Sequence, residues 1–371
     1  MIKRIILIAV NALCLIAFVV CLSISASIRS PLRSQQAAAA WAGQSGERFS
    51  QLSAFFSDSH EFAENDVFVL RSVLDRVLLD ASLESTPGRL LYTDAWSAET
   101  EVSIVSERGS AEAIAIAVGG DFFLFHPLYL RDGSYLSPDD IMKDRVVLDE
   151  ELAWRLFGAT RVAGFEVLIN NRTFIIAGVV SRESDFASSK AYTYGAGLFM
   201  SYDALVAMRE NNDVPDTMNE ASVPIRSYEI VMPDPITGFA LNALTEAIYD
   251  ESVHIVENTA RFSLRNLFSV IASFGERSMR SDTIAYPYWE NAARFAEDWL
   301  ALLLVFSLLF IIFPIVCFVI YGIKVIRFRI KHGKTSVLII LEKIENRKYE
   351  KYKLKHGEDS DASSVFDGEI Y

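Results

Sequence analysis

Cysteine is nearly missing from the 371 residues, and the three present, Cys14, Cys21 and Cys317, all fall inside two long apolar runs. A disulfide framework is thereby excluded for everything between the runs, which a hydrophobic core must hold together. Histidine is scarce as well. His60, His126 and His254 stand far apart with no helix-spaced His or Cys neighbours, so no metal-ligand pattern is read and no cofactor is implied. No G-x-S-x-G elbow and no S-x-x-K nucleophile motif occurs in the central region, which argues against an enzyme. A P-loop needs G-x-x-x-x-G-K-[ST]; the nearest approach, "HGKTS" at 332–336, has Phe328 where the first glycine belongs. Basic residues are outnumbered 35 to 48 by acidic ones, for a net charge of −13. The deficit lies between the apolar runs and makes a poor nucleic-acid surface.

The apolar runs are the strongest positive signal. Residues 5–22 are interrupted only by Asn11 and preceded by Lys3 and Arg4, which predicts an uncleaved spanning helix. A cleaved signal peptide ending near "SISAS" at 23–27 is the alternative. Residues 300–320 are apolar apart from Ser307, with Trp299 and Tyr321 at the edges and Pro314 placed to kink the helix. Lys324, Arg327, Arg329, Lys331 and Lys334 follow, and the positive-inside rule reads them as cytoplasmic, for coupling to a partner or for contact with lipid. Both termini are then expected inside, with residues 27–297 outside.

Between the runs, residues 34–57, "SQQAAAAWAGQSGERFSQLSAFFS", have helix propensity and predict a stalk helix. Residues 67–80 predict an amphipathic helix closed by "TPG" at 86–88. "GRLLYTD", "EVSIVSE" and "AEAIAIAV" read as three short strands, and 165–180 as a hairpin turning at Asn170-Asn171. Asp139-Asp140 after Pro138 reads as a helix start. "RVVLDEELAWRLFG" at 145–158 reads as a strand, a cap at Asp149, and a short helix stopped by Gly158. Residues 228–258 alternate strand, helix and strand at crossover length. Residues 260–280 read as helix. Tyr286, Tyr288, Trp289, Arg294 and Trp299 suit a lipid headgroup zone or a partner contact.

The stretches "AVGGDFFLFHPLYLRDGSYL", "RVVLDEELAWRLFG", "VAGFEVLINNRTFIIAGVV" and "LFMSYDAL" together resemble the periplasmic core domain of MacB-type ABC transporter permeases, of the MacB/FtsX superfamily. Asp121-Phe122-Phe123, Gly133, Leu148, Leu152-Ala153, Leu156-Phe157-Gly158, Gly164 and Gly178-Val179-Val180 stand where that family's pattern has them. The resemblance is specific in order and spacing over roughly 115–205. It implies an α+β extracytoplasmic domain between two transmembrane α-helices, built of two subdomains, one mostly β and one α/β. The expected division is a spanning helix at 1–26, a stalk and first α/β part at 27–94, an inserted β-rich part at 95–224 and the second α/β part at 225–262. Stalk and interfacial helices follow at 263–298, the second span at 299–322 and a basic cytoplasmic tail at 323–371.

The chain departs from related permeases, which place three spans after the outer domain and in some cases carry an ATPase in the same chain. The function implied is a non-catalytic membrane subunit of an ABC-type transporter or mechanotransmission complex, working with a separate cytoplasmic ATP-binding subunit. A four-span permease or a second copy of itself would complete it, since two spans cannot enclose a substrate path. The alternative is a standalone extracytoplasmic sensor or scaffold that binds a peptide or regulates a cell-wall enzyme. Residues 335–355 hold a short apolar core and then a charged run, which predicts a helix at the membrane face.

Overall fold

The structure, a computed structural model, describes residues 2–84, 90–192, 197–210, 223–250, 252–273, 280–281 and 284–355; side chains at 210, 280–281, 331–339 and 352–355 lie outside the description. Two units make up the chain: 1–19 with 307–371, and 20–306. The first holds the larger part of both apolar runs. Ile5, Leu13 and Ile16 on one helix, and Phe318 and Val319 on the other, are each about half exposed or more, as side chains built for a lipid solvent would be.

Helix α1 (Ile2–Arg29) carries the first run and ends in a short 3-10 turn (Arg33–Gln35) and helix α2 (Ala37–Ala42). The stalk helix expected over 34–57 stops there. Strand β1 (Phe49–Phe56) replaces its second half, with every residue buried. Helix propensity loses because β1 has a strand on each side. Its backbone bonds are satisfied by neighbours, and its period-two pattern sends Leu52, Ala54 and Phe56 into the main core and Gln51, Ser53 and Phe55 to the other face.

Helix α3 (Glu64–Asp80) buries Val67, Leu70, Leu74 and Leu78 at helical spacings. Next come β2 (Thr93–Val105) and β3 (Ser110–Gly120), a long hairpin. "GRLLYTD" enters β2 only at its end, and "EVSIVSE" continues the same strand, so two expected strands are one. Helix α4 (Phe122–Phe125) and strand β4 (Tyr129–Gly133) follow. Asp139-Asp140 starts no helix: the Asp140 carboxylate accepts from the Ser137 backbone N–H at 3.0 Å and closes a turn instead.

Strand β5 (Arg145–Asp149) and helix α5 (Glu150–Phe157) form as expected. Asp149 caps the helix by accepting from Leu152 N–H at 2.6 Å, and Gly158 takes the left-handed conformation, φ 67°. Strands β6 (Glu166–Ile169) and β7 (Arg172–Ser181) form the hairpin, with Asn170 and Asn171 at φ 46° and 66°. Helix α6 (Ser188–Ala191), strand β8 (Gly197–Ser201) and helix α7 (Tyr202–Glu210) follow.

Strand β9 (Ser227–Pro233), helix α8 (Phe239–Ile248) and strand β10 (Val253–Glu257) make the β-α-β crossover, with β1 lying antiparallel between the two strands. After helix α9 (Leu264–Ala272) and a two-strand ribbon, β11 (Arg280–Ser281) and β12 (Ile284–Ala285), helix α10 (Tyr288–Lys355) begins and passes through Pro314.

Ten strands form one mixed sheet in the order β10-β1-β9-β2-β3-β8-β5-β7-β4, with β6 against β2 and β7. Strand β9 pairs antiparallel with β2 on one side and with β1 on the other. Two glycines permit the β4–β7 pairing. A Cβ on Gly133 would strike the Ala177 carbonyl, and one on Gly178 the Ser134 and Asp132 carbonyls. Mixed α+β structure between two helices long and apolar enough to cross a membrane is therefore what this sequence builds.

Candidate functional site

One face of β1 and β9 carries polar residues that the core cannot accept, and the start of α10 covers them. Ser53 and Glu229 are directly opposed across the two strands and so share a face. Ser53 Oγ donates to Glu229 Oε1 at 3.0 Å, and Asn258, just past β10, donates through Nδ2 to Ser53 Oγ at 2.6 Å. The other Glu229 oxygen lies 2.5 Å from His126 Nε2. The His126 ring packs on Phe122 and on Trp289 of α10, both at 4.4 Å.

A second limb leaves Asn258 for α10. The turn 258–263, closed by the Ser263 cap on α9, folds Arg261 back beneath the sheet with its side chain 2% exposed. Arg261 grips Glu290 through Nη1–Oε2 at 2.6 Å and Nη2–Oε1 at 2.7 Å, and Glu297 through Nε–Oε1 at 2.9 Å. It also donates to Gln35 Oε1 at 3.4 Å and to Asn258 Oδ1 at 3.5 Å. Glu290 and Glu297, seven residues apart, face the same way after two helical turns. Burial opposes the charge on Arg261, yet the two carboxylates outweigh it and hold the guanidinium more firmly protonated than an ordinary arginine. Arg294 adds a second cation, donating to Glu290 Oε1 at 2.8 Å and lying 3.5 Å over the Tyr286 ring.

The segment after α1 is fastened to the same strand. Gln51 Nε2 donates to Ser34 O at 2.6 Å, while Gln51 Oε1 accepts from Ala37 N–H at 2.9 Å. The polar path thus leaves α10 at Glu290, runs through Arg261, Asn258, Ser53, Glu229 and His126, and returns to α10 at Trp289. Two cations, Arg261 from the turn and Arg294 on α10, meet the α10 carboxylates Glu290 and Glu297 at hydrogen-bond range. Breaking this joint exposes buried charge without a partner. Among the described residues no group of three or more His, Cys, Asp or Glu could hold a metal.

The expected interface residues divide. Tyr286, Tyr288 and Trp289 are interior, 7%, 4% and 2% exposed, packed respectively on Phe55, on Tyr192 and on His126. An amphipathic ring suits a protein interface as well as a headgroup layer, and here other rings of the same chain take it. Arg294 belongs to the joint. Trp299 remains 40% exposed at the start of the apolar run. Lys324, Arg327 and Arg329 are exposed on α10, while the side chains of Lys331 and Lys334 lie outside the description. Sequence reasoning missed Arg261, Glu229, Gln51 and Asn258. Its one available signal was a pair of acids spaced by seven just before a membrane-length run.

Comparison with known proteins gives a match over residues 6–235 to the family described as the MacB-like periplasmic core domain. No curated protein sequence matches. Among solved structures, the periplasmic region of MacB from Actinobacillus actinomycetemcomitans is similar at 18% identity and TM-score 0.39, covering 58% of this chain and 92% of that one. The extracellular domain of the noncanonic ABC-type transporter YknZ from Gram-positive bacteria is similar at 13% identity and TM-score 0.37, covering 56% and 99%.

Proposed function

This chain belongs to the MacB-like periplasmic core domain family, and on that premise we propose that it is a non-catalytic membrane subunit through which a separate cytoplasmic ATPase and an outer domain exchange motion. Residues 27–297 lie outside the membrane in this reading, with both termini and the basic cluster Lys324, Arg327, Arg329, Lys331 and Lys334 inside. The inserted part, 95–224, and the flanking α/β part are two subdomains sharing one sheet. A four-span permease or a second copy supplies the rest of any path across the bilayer.

The observation that carries the proposal is the Arg261 joint. It ties the segment after α1, the end of β10 and the first turns of α10 into one buried unit, so a shift of either helix is passed to the sheet with no chemistry of its own. The test is to tag the C-terminus, solubilise native membranes in mild detergent and identify stoichiometric partners by mass spectrometry. Co-purification of an ATP-binding subunit that is lost on deleting 324–355 is the expected result.

A second reading, an extracytoplasmic sensor or scaffold that captures a peptide, draws support from an open cleft of about 1020 Å³ on the outer unit. Leu78, Leu79 and Leu91 line it beside Asp75, Asp121 and Asp139. Recovery of only outer-face partners in the same experiment would favour it.

A further inference from the structure

We propose that the outer unit also rests on the lipid surface at a third point, the turn that carries Phe186. Segment 182–192 lies along one face of α10. Tyr192 stacks on Tyr288 at 4.3 Å, while Phe186 packs on Phe295 at 5.3 Å and on Trp299 at 5.5 Å. Positions 288, 295 and 299 share a helix face. At about 1.5 Å per residue, Phe186 therefore stands between about 10 and about 16 Å farther along α10 than Tyr192, within the last turn before the apolar run.

Beyond that level the side chains of Leu302, Val305 and Phe306 are 36–42% exposed, as a bilayer would require. Phe186 is itself 47% exposed although it has two aromatic neighbours. It is also held in place. Asp185 Oδ1 accepts from the N–H groups of Ala187 and Ser188 at 3.0 and 3.1 Å, and both of those residues are buried beneath the turn. A fixed, half-exposed ring with no polar handle gains by leaving water, and its neighbour Trp299 opens the run that enters the hydrocarbon. Continuity with that run is what favours lipid over a second protein as the occupant. The inference rests on α10 crossing a bilayer and is independent of any ATPase partner.

The test uses the full chain with Cys14, Cys21 and Cys317 replaced by alanine, reconstituted in phosphatidylcholine vesicles. Nitroxide labels are placed singly at Phe186→Cys and, for comparison, at Tyr249→Cys, which closes α8 and is 90% exposed. Collision rates with oxygen, which concentrates in hydrocarbon, and with a water-soluble nickel chelate are compared. The oxygen-to-nickel ratio is expected to be severalfold higher at 186 than at 249. Equal ratios would overturn the contact. So would a label at 186 shielded from both agents, because that seats a second copy there instead. Ser189→Cys keeps the Phe186 ring in place and gives the same comparison if loss of the ring disturbs the fold.

Discussion

Arg261 and Glu290 meet through two parallel hydrogen bonds of 2.6 and 2.7 Å, each side chain only 2% exposed. One residue follows the edge strand of the sheet and the other opens the long helix, so a single bidentate pair joins the two. Replacing Arg261 by methionine would leave Glu290 and Glu297 buried without their shared cation. A loss of about 3–5 kcal/mol is expected, read by denaturant unfolding of the full chain in detergent. Adding Glu290→Gln and Glu297→Gln should restore part of it. If Arg261→Met alone unfolded like the parent, the joint would not bear load.

Gly178 is expected to reject any side chain, because a Cβ there meets the carbonyls of Asp132 and Ser134 across the β4–β7 pairing. Gly178→Ala should lower stability by about 1–3 kcal/mol or open the edge of the sheet. Hydrogen exchange at β4 amides would report the opening. Unchanged exchange and an unchanged unfolding midpoint would mean the strands have room that the structure denies.

Tyr202 gives a pH dependence. Burial, with the charge of Glu64 adding to it, pushes the phenol up to about 12, and its hydroxyl donates to the Val223 carbonyl. A folded pKa above the unfolded value of ~10 means the phenol favours the folded state fully below about pH 10 and loses that advantage as pH climbs toward 12. Relative to Tyr202→Phe, the parent should lose on the order of 2 kcal/mol between those limits. A difference that stays constant from about pH 9 to about 12 would show that the phenol titrates as it does in water.

The orientation can be tested with single cysteines in the cysteine-free chain. A membrane-impermeant maleimide added to intact cells should modify Tyr249→Cys and leave Lys324→Cys untouched until the cells are permeabilised. The reverse pattern would invert the topology.

Several elements were legible from neighbouring residues alone. Asn170-Asn171 announced their turn because asparagine tolerates positive φ. Asp149 and Gly158 bounded α5 because a carboxylate satisfies free N–H groups and glycine takes the left-handed stop. The two membrane-length runs were plain from their composition. Residues 34–57 were not legible. "AAAAWA" is locally helical and does form α2, whereas "FSQLSAFF" becomes a strand only because β9 and β10, far later in the chain, pair with it.

The joint shows the same division at the level of function. Tyr286, Tyr288, Trp289, Arg294 and Trp299 were visible as an aromatic and basic stretch before a span, and local chemistry offered them to a headgroup zone or to a partner contact. Arg261, which bonds Glu290 and Glu297, and His126, which packs on Trp289, approach from other turns of the chain. The sequence by itself determined the elements whose free energy is local: caps, turns, amphipathic periods and the apolar length of the spans. Tertiary structure alone decided which strand filled the gap between β9 and β10 and which charges were buried together. Those choices depend on pairing and desolvation between segments that the chain order keeps far apart.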